Sequence, residues 1–115
     1  MEATRDRASV RHRQGTAVID LPSQIDSTAE QTLADAYTEA TRDGRGPVLL
    51  NFTGVDYLSS TGIALIVGLL ARARKDGRSI SSCGLSDHFR EIFEITRLAD
   101  FMKMYPDESA AVAAR

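Results

Sequence analysis

The chain has one cysteine, no tryptophan, three prolines and two histidines in 115 residues. A lone cysteine, Cys83, excludes an internal disulfide and fits a reducing compartment. Two histidines and one cysteine without ligand spacing offer no metal site, and no G-x-x-x-x-G-K-[ST] or G-x-G-x-x-G stretch marks a nucleotide-binding loop. No apolar run reaches roughly 18 residues, the length of a membrane span. Charges run throughout residues 1–13, so no signal peptide is read there. Charge of one sign is also lacking. Fourteen basic against sixteen acidic residues give −2, which draws neither nucleic acid nor membrane insertion. Arg5, Arg7, Arg11 and Arg13 are interrupted by Asp6 and carry no interleaved aromatics, so they read as a solvated face.

What is there is an ordinary globular composition, 43% hydrophobic and 26% charged. The length suits one domain with its own core. The expectation is a single domain over residues 1–115, of which 1–8 are a loose lead-in, in the cytoplasm of a bacterial-type cell.

The organising stretch is VLLNFTGVDYLSSTGIALIVGLLARARKDG, from Val48 to Gly77. Its opening run, Val48 to Phe52, suits a strand buried on both faces. A loop, Thr53 to Tyr57, leads to Ser59, Ser60, Thr61 and Gly62, and an apolar helix follows at once. Ile63, Ile66, Val67 and Leu70 fall on one helix face. Ala64, Gly68 and Ala71 form a second face of small residues, where another backbone has room to approach. Arg72, Arg74, Lys75 and Gly77 suit the negative helix end and its cap.

Three hydroxyls and a glycine therefore stand at a helix start, where unpaired N–H groups and the dipole favour negative charge. Two readings follow from the residues. Either Ser59 or Ser60 is a plain N-cap, the commoner use of serine there, or the position stabilises an anion, including a phosphate esterified to serine.

Before this stretch, residues 9–13 and 16–21 read as two strands joined by Gln14-Gly15, a hairpin signal. Pro22 ends the second. Asp26 or Ser27 caps the next helix, with Glu30 at capping-box spacing from Ser27. Ala29, Leu33, Ala36, Tyr37 and Ala40 make its apolar stripe, and residues 43–47 break the pattern. Strand, helix and strand make a parallel crossover that places Asp26 near Ser59 and Ser60. After Gly77, residues 78–84 read as another parallel strand with Cys83 as a small buried hydrophobe. Ser86 or Asp87 caps a helix containing Phe89, Ile92 and Phe93. Residues 96–99 make a turn, 101–105 a last strand, and Pro106 opens a short helix over 107–114.

No catalytic constellation forms. A serine nucleophile needs a base, and His12 and His88 fall in a strand and at a helix start, as surface imidazoles. Asp26 and Asp56 are too few for an acidic phosphoacceptor pocket. The chain reads as not an enzyme, without cofactor or metal.

The order of hairpin, QIDSTAE, helix, PVLLNFTGVDYLSSTGIAL, helix, strand and helix resembles the STAS domain of bacterial anti-sigma factor antagonists. The resemblance spans about Val10 to Tyr105 and is most specific from Asn51 to Leu65. It implies an α/β STAS fold, a mixed four- to five-stranded sheet flanked by about four helices, acting by binding partners. The implied partners are an anti-sigma factor that is also a serine kinase, bound when the antagonist is unphosphorylated, and a serine phosphatase that resets the cycle. The family's D-S-S-G or D-S-T-G motif falls on Ser59-Ser60-Thr61-Gly62. Its phosphorylated serine is the second position, Ser60, with Ser59 and Thr61 the alternatives. Asp26 matches an acid on the same binding surface, so Asp26, Ser59, Ser60, Thr61 and Gly62 are the implied partner-binding residues. The departure is Ser59, where many members carry Asp. An alternative within the same resemblance is a non-switching STAS subunit of a signalling assembly or of an ABC lipid transporter. A homodimer is among the assemblies the sequence allows.

Overall fold

A computed structural model describes residues 7–42, 44 and 46–114. Most of the lead-in, with Arg5 and Asp6, and Asp43 and Arg45 of the expected break lie outside the described residues. The hairpin forms as expected, β1 (Ser9–Arg13) antiparallel to β2 (Thr16–Asp20). Gln14 and Gly15 both take positive φ, 50° and 83°, the backbone of a two-residue turn whose twist matches the strands. β4 (Val48–Asn51), β6 (Ile80–Cys83) and β7 (Lys103–Tyr105) complete a five-stranded mixed sheet in the order β1-β2-β4-β6-β7, parallel beyond β2. Expected strand 101–105 begins only at Lys103. Phe101 stays outside the ladder and is 62% exposed.

β4 is buried on both faces because its side chains alternate between two cores. Val48 and Leu50 join Ile19, Leu33, Ile66 and Phe93 in the larger core. Leu49 joins Val18, Cys83, Ala111 and Val112 in the smaller one. The larger core is covered by α1 (Glu30–Ala40), α2 (Ser60–Lys75) and α3 (Asp87–Ile95), the smaller by α4 (Glu108–Ala113). The stripe Ala29, Leu33, Ala36, Tyr37 and Ala40 is buried throughout. Asp26 rather than Ser27 caps the segment, and a 3-10 turn over Ser27–Ala29 precedes α1, so the Ser27–Glu30 capping box does not form. Tyr37 crosses to α2, where its hydroxyl donates to Asp76 (2.8 Å) and Arg72 lies 4.4 Å over its ring.

Two expectations for α2 change. Its buried residues are Gly62, Ile66, Leu69, Leu70 and Ala73, whereas Val67 is 43% exposed. Ala64, Gly68 and Ala71 face outward, and no atom approaches the place of a Gly68 Cβ. Apolar residues surround this helix, so periodicity alone does not select its inner face. A further element is a two-stranded parallel bridge of β3 (Gln24–Ile25) with β5 (Tyr57–Leu58), in what reads as loop in the sequence.

Arg11 and Arg13 are not merely solvated. Arg11 binds Asp20 (2.6 Å) and Glu108 (2.6 Å), and Arg13 binds Glu108 (3.0 Å), tying the hairpin to α4. Hydrogen bonds from Arg11 and then Arg13 hold the Glu108 carboxyl at about 2, against an ordinary 4.5. A depressed acid stabilises the fold above its ordinary value and loses that contribution as pH falls toward its folded value. Glu108→Gln should therefore cost about 1 kcal/mol at pH 7, after screening at a partly exposed network. The cost should vanish as pH falls through the window from 4.5 to about 2, as read by urea unfolding of both proteins across that range.

Candidate functional site

The end of β3 and the start of α2 meet at one carbonyl. Ser59 N–H donates to the Ile25 carbonyl at 3.0 Å. Gly62 lies against the same group so closely that a Cβ there would sit 1.9 Å from the Ile25 oxygen. Gly62 is itself buried. Its role is thus internal: it lets the helix backbone pass the β3 backbone, an approach no other residue permits.

This contact sorts the two serines. Ser59 has extended backbone and is the N-cap of α2, its Oγ accepting from Gly62 N–H at 2.9 Å. Ser60 is the first helical residue and exposed, and its hydroxyl has no hydrogen-bond partner among the described residues. Thr61 is exposed beside it. The first turn of α2 contains no acid, so nothing within the helix opposes the positive end of its dipole. An Asp in place of Ser59 would also cap the helix, so the serine keeps the cap while removing a charge.

Asp26 follows Ile25 directly and so stands where β3 approaches this helix start. Its Oδ1 accepts from Thr28 Oγ1 (2.5 Å) and Thr28 N–H (3.0 Å). These bonds, the hydroxyl first, hold the carboxyl below its ordinary value, so it is charged at neutral pH. The structure thus brings Asp26, Ser59, Ser60, Thr61 and Gly62 to one end of the sheet. Tyr57, 51% exposed on β5, adds an aromatic to that surface. The two-residue strand that carries it has no period to reveal it in sequence.

Cys83 is fully buried in the smaller core, and burial pushes its thiol up to about 11, which leaves it unreactive. His12 and His88 are exposed on β1 and α3. Among the described residues, no group of His, Cys, Asp and Glu is arranged to hold a metal, and no helix is long and apolar enough to cross a membrane.

Substitutions separate these roles. Ser59→Ala should cost about 1 kcal/mol through the lost cap, and Ser60→Ala less than about 0.5 kcal/mol. Gly62→Ala should cost about 1–3 kcal/mol or more, because a backbone must move. Gly68→Ala should instead stabilise by about 0.5–1 kcal/mol, being a helical glycine with open space. Chemical denaturation of the four variants checks the order.

Comparisons with known proteins place the chain. A family model described as the STAS domain matches residues 7–111. The anti-sigma-B factor antagonist of Staphylococcus aureus is 30% identical over 84 residues, 73% of this chain and 78% of that protein. Among solved structures, an anti-sigma-factor antagonist (STAS) domain protein from Planctomyces limnophilus aligns with a TM-score of 0.79. It is 22% identical, over 94% of this chain and 96% of that one. The Bacillus cell fate determinant SpoIIAA in its phosphorylated form aligns at 0.69, with 19% identity, over 94% and 99% of the two chains. With its fold, its helix-start serines and a family match over residues 7–111, the chain belongs to the STAS domain family.

Proposed function

We propose that this chain is an anti-sigma factor antagonist whose binding surface is the start of α2 with Asp26, and whose switch is phosphorylation of Ser60. The observation that carries the reading is the free, exposed Ser60 hydroxyl beside a neighbour, Ser59, already used as the cap. The similarity to the Staphylococcus aureus anti-sigma-B factor antagonist supports the class of activity, and the fold shared with phosphorylated SpoIIAA supports a chain of this shape carrying a phosphate. In this reading a single STAS domain binds an anti-sigma factor with serine kinase activity and thereby frees a sigma factor. A serine phosphatase returns the modified protein to its binding form.

The physics of the switch follows from charge. A phosphate on Ser60 adds about −1.5 to −2. Helix N-terminal N–H groups and the dipole accommodate that charge within the domain, so the fold does not have to change. A partner surface packed on Ser60, with the charged Asp26 close by, does not accommodate it, through repulsion and desolvation. Binding is the quantity that switches. Gly62 contributes by placing the serines rather than by touching the partner.

The test is affinity capture from the native cell lysate with wild type, Ser60→Asp and Ser60→Ala, with mass spectrometry of the partners and of the peptide containing Ser59, Ser60 and Thr61. A kinase-like anti-sigma factor should be held by wild type and Ser60→Ala and lost at least about tenfold by Ser60→Asp, about 1.4 kcal/mol. Phosphate should be found on wild type and not on Ser60→Ala. A transporter ATPase or a STAS scaffold held equally by all three would reduce Ser60 to a surface serine.

A further inference from the structure

α4 is held differently from the other helices. At six residues it is too short to persist as a helix without its neighbours. It buries two small side chains, Ala111 and Val112, against Val18, Leu49 and Cys83, with Tyr105 packed beside them. The three longer helices share the larger core on the opposite face of the sheet.

Its polar attachment is confined to one end. Arg11 grips both carboxylate oxygens of Glu108, at 2.6 and 3.0 Å. Arg13 adds a bond of 3.0 Å to that carboxylate and one of 3.3 Å to Ser109. Among the described residues, these are the side-chain hydrogen bonds that join α4 to the rest of the molecule. Asp107 is turned inward, accepting from Ala110 N–H as the helix cap. Glu108, the first residue of α4, therefore acts as its latch.

This latch releases without leaving a buried charge unpaired. Arg11 keeps Asp20, at 2.6 and 2.9 Å, when Glu108 departs. The Arg11 and Arg13 side chains are 45% and 39% exposed, so water takes the vacated places. The heavy cost of breaking a salt bridge inside a protein is thus avoided. Few buried contacts and one solvent-side ion-pair cluster mark a segment that opens locally. We propose that α4 is a lid: once the Glu108 latch is released it leaves the sheet as a unit, ahead of global unfolding, and so gates the Cys83 thiol and the apolar face around it. With the lid shut Cys83 is 0% exposed and its sulfur meets no solvent. A group joined to that sulfur occupies space the closed lid fills, and so holds the lid open. The device does not rest on the antagonist reading of Ser60.

Labelling of Cys83 in the native full-length chain with the disulfide reagent DTNB, at fixed pH, tests this. The thiolate attacks the S–S bond, a mixed disulfide forms, and one thionitrobenzoate leaves and is read by its colour. Wild type should label far more slowly than the urea-unfolded chain. Its rate should stay flat with urea up to the foot of the unfolding transition, since a small opening exposes little surface. Glu108→Gln should speed labelling about fivefold, the equivalent of about 1 kcal/mol. Raising sodium chloride from about 50 mM to about 1 M should speed wild type several-fold by screening the latch, and move Glu108→Gln little. Ile66→Val, which weakens the larger core, should leave the rate unchanged. A rate that climbs with urea as steeply as global unfolding, or rises in Ile66→Val by its full loss of stability, would show that Cys83 opens only with the whole domain. Indifference to Glu108→Gln would remove the latch, and labelling as fast as in the unfolded chain would show that no lid is closed.

Discussion

Everything at the functional end of this protein hangs on the passage of α2 across the Ile25 carbonyl. A Cβ at residue 62 would be 1.9 Å from that oxygen and 2.7 Å from its carbon, both backbone atoms that no side-chain adjustment relieves. Once Gly62 faces β3, the helix has only one rotation left. Ile66, Leu69, Leu70 and Ala73 turn into the core, while Ser60, Thr61, Ala64, Val67 and Gly68 turn out. The exposure of the Ser60 hydroxyl is therefore a consequence of backbone packing one turn away. The same carbonyl receives the Ser59 amide, so strand end, helix cap and helix rotation are set at a single point.

The rotation explains what was legible in the sequence and what was not. Local signals read well where one residue decides a conformation. Gln14-Gly15 gave the hairpin, Ser86 is a helix cap, and Gly77 closes α2 with a positive φ, whereas Asp107, read as the first helical residue, is instead the cap of α4. The apolar run at β4 marked the central strand because both sides of it are core. The inner face of α2 did not read, since Ile63, Leu65, Ile66, Val67, Leu69 and Leu70 surround the helix and leave no unique stripe. The β3–β5 bridge did not read either, because two residues carry no period. At the site itself, the sequence placed Asp26 and the serines together but left two serines as equal candidates for the cap. Only the hydrogen bond from Gly62 to Ser59 distinguishes them.

Electrostatics on the two sheet faces are handled separately. The face under α4 carries the Arg11, Arg13, Asp20 and Glu108 cluster, extended by Asn51, which donates to Asp20 at 2.7 Å and accepts from Thr53. The start of α2 carries no compensating acid within its first turn. Negative charge added there meets free N–H groups and not a cluster already balanced by arginines. A charge added at Ser60 would thus leave untouched the ion pairs that hold the hairpin to α4.

The same helix is fixed along its length. Sixteen residues span about 24 Å, with Ser60 at one end. Both ends of the helix are pinned to neighbouring elements. Gly62 is locked against Ile25, and Asp76 accepts from Tyr37, whose ring lies under Arg72. Turning the first turn of α2 requires breaking one of these contacts.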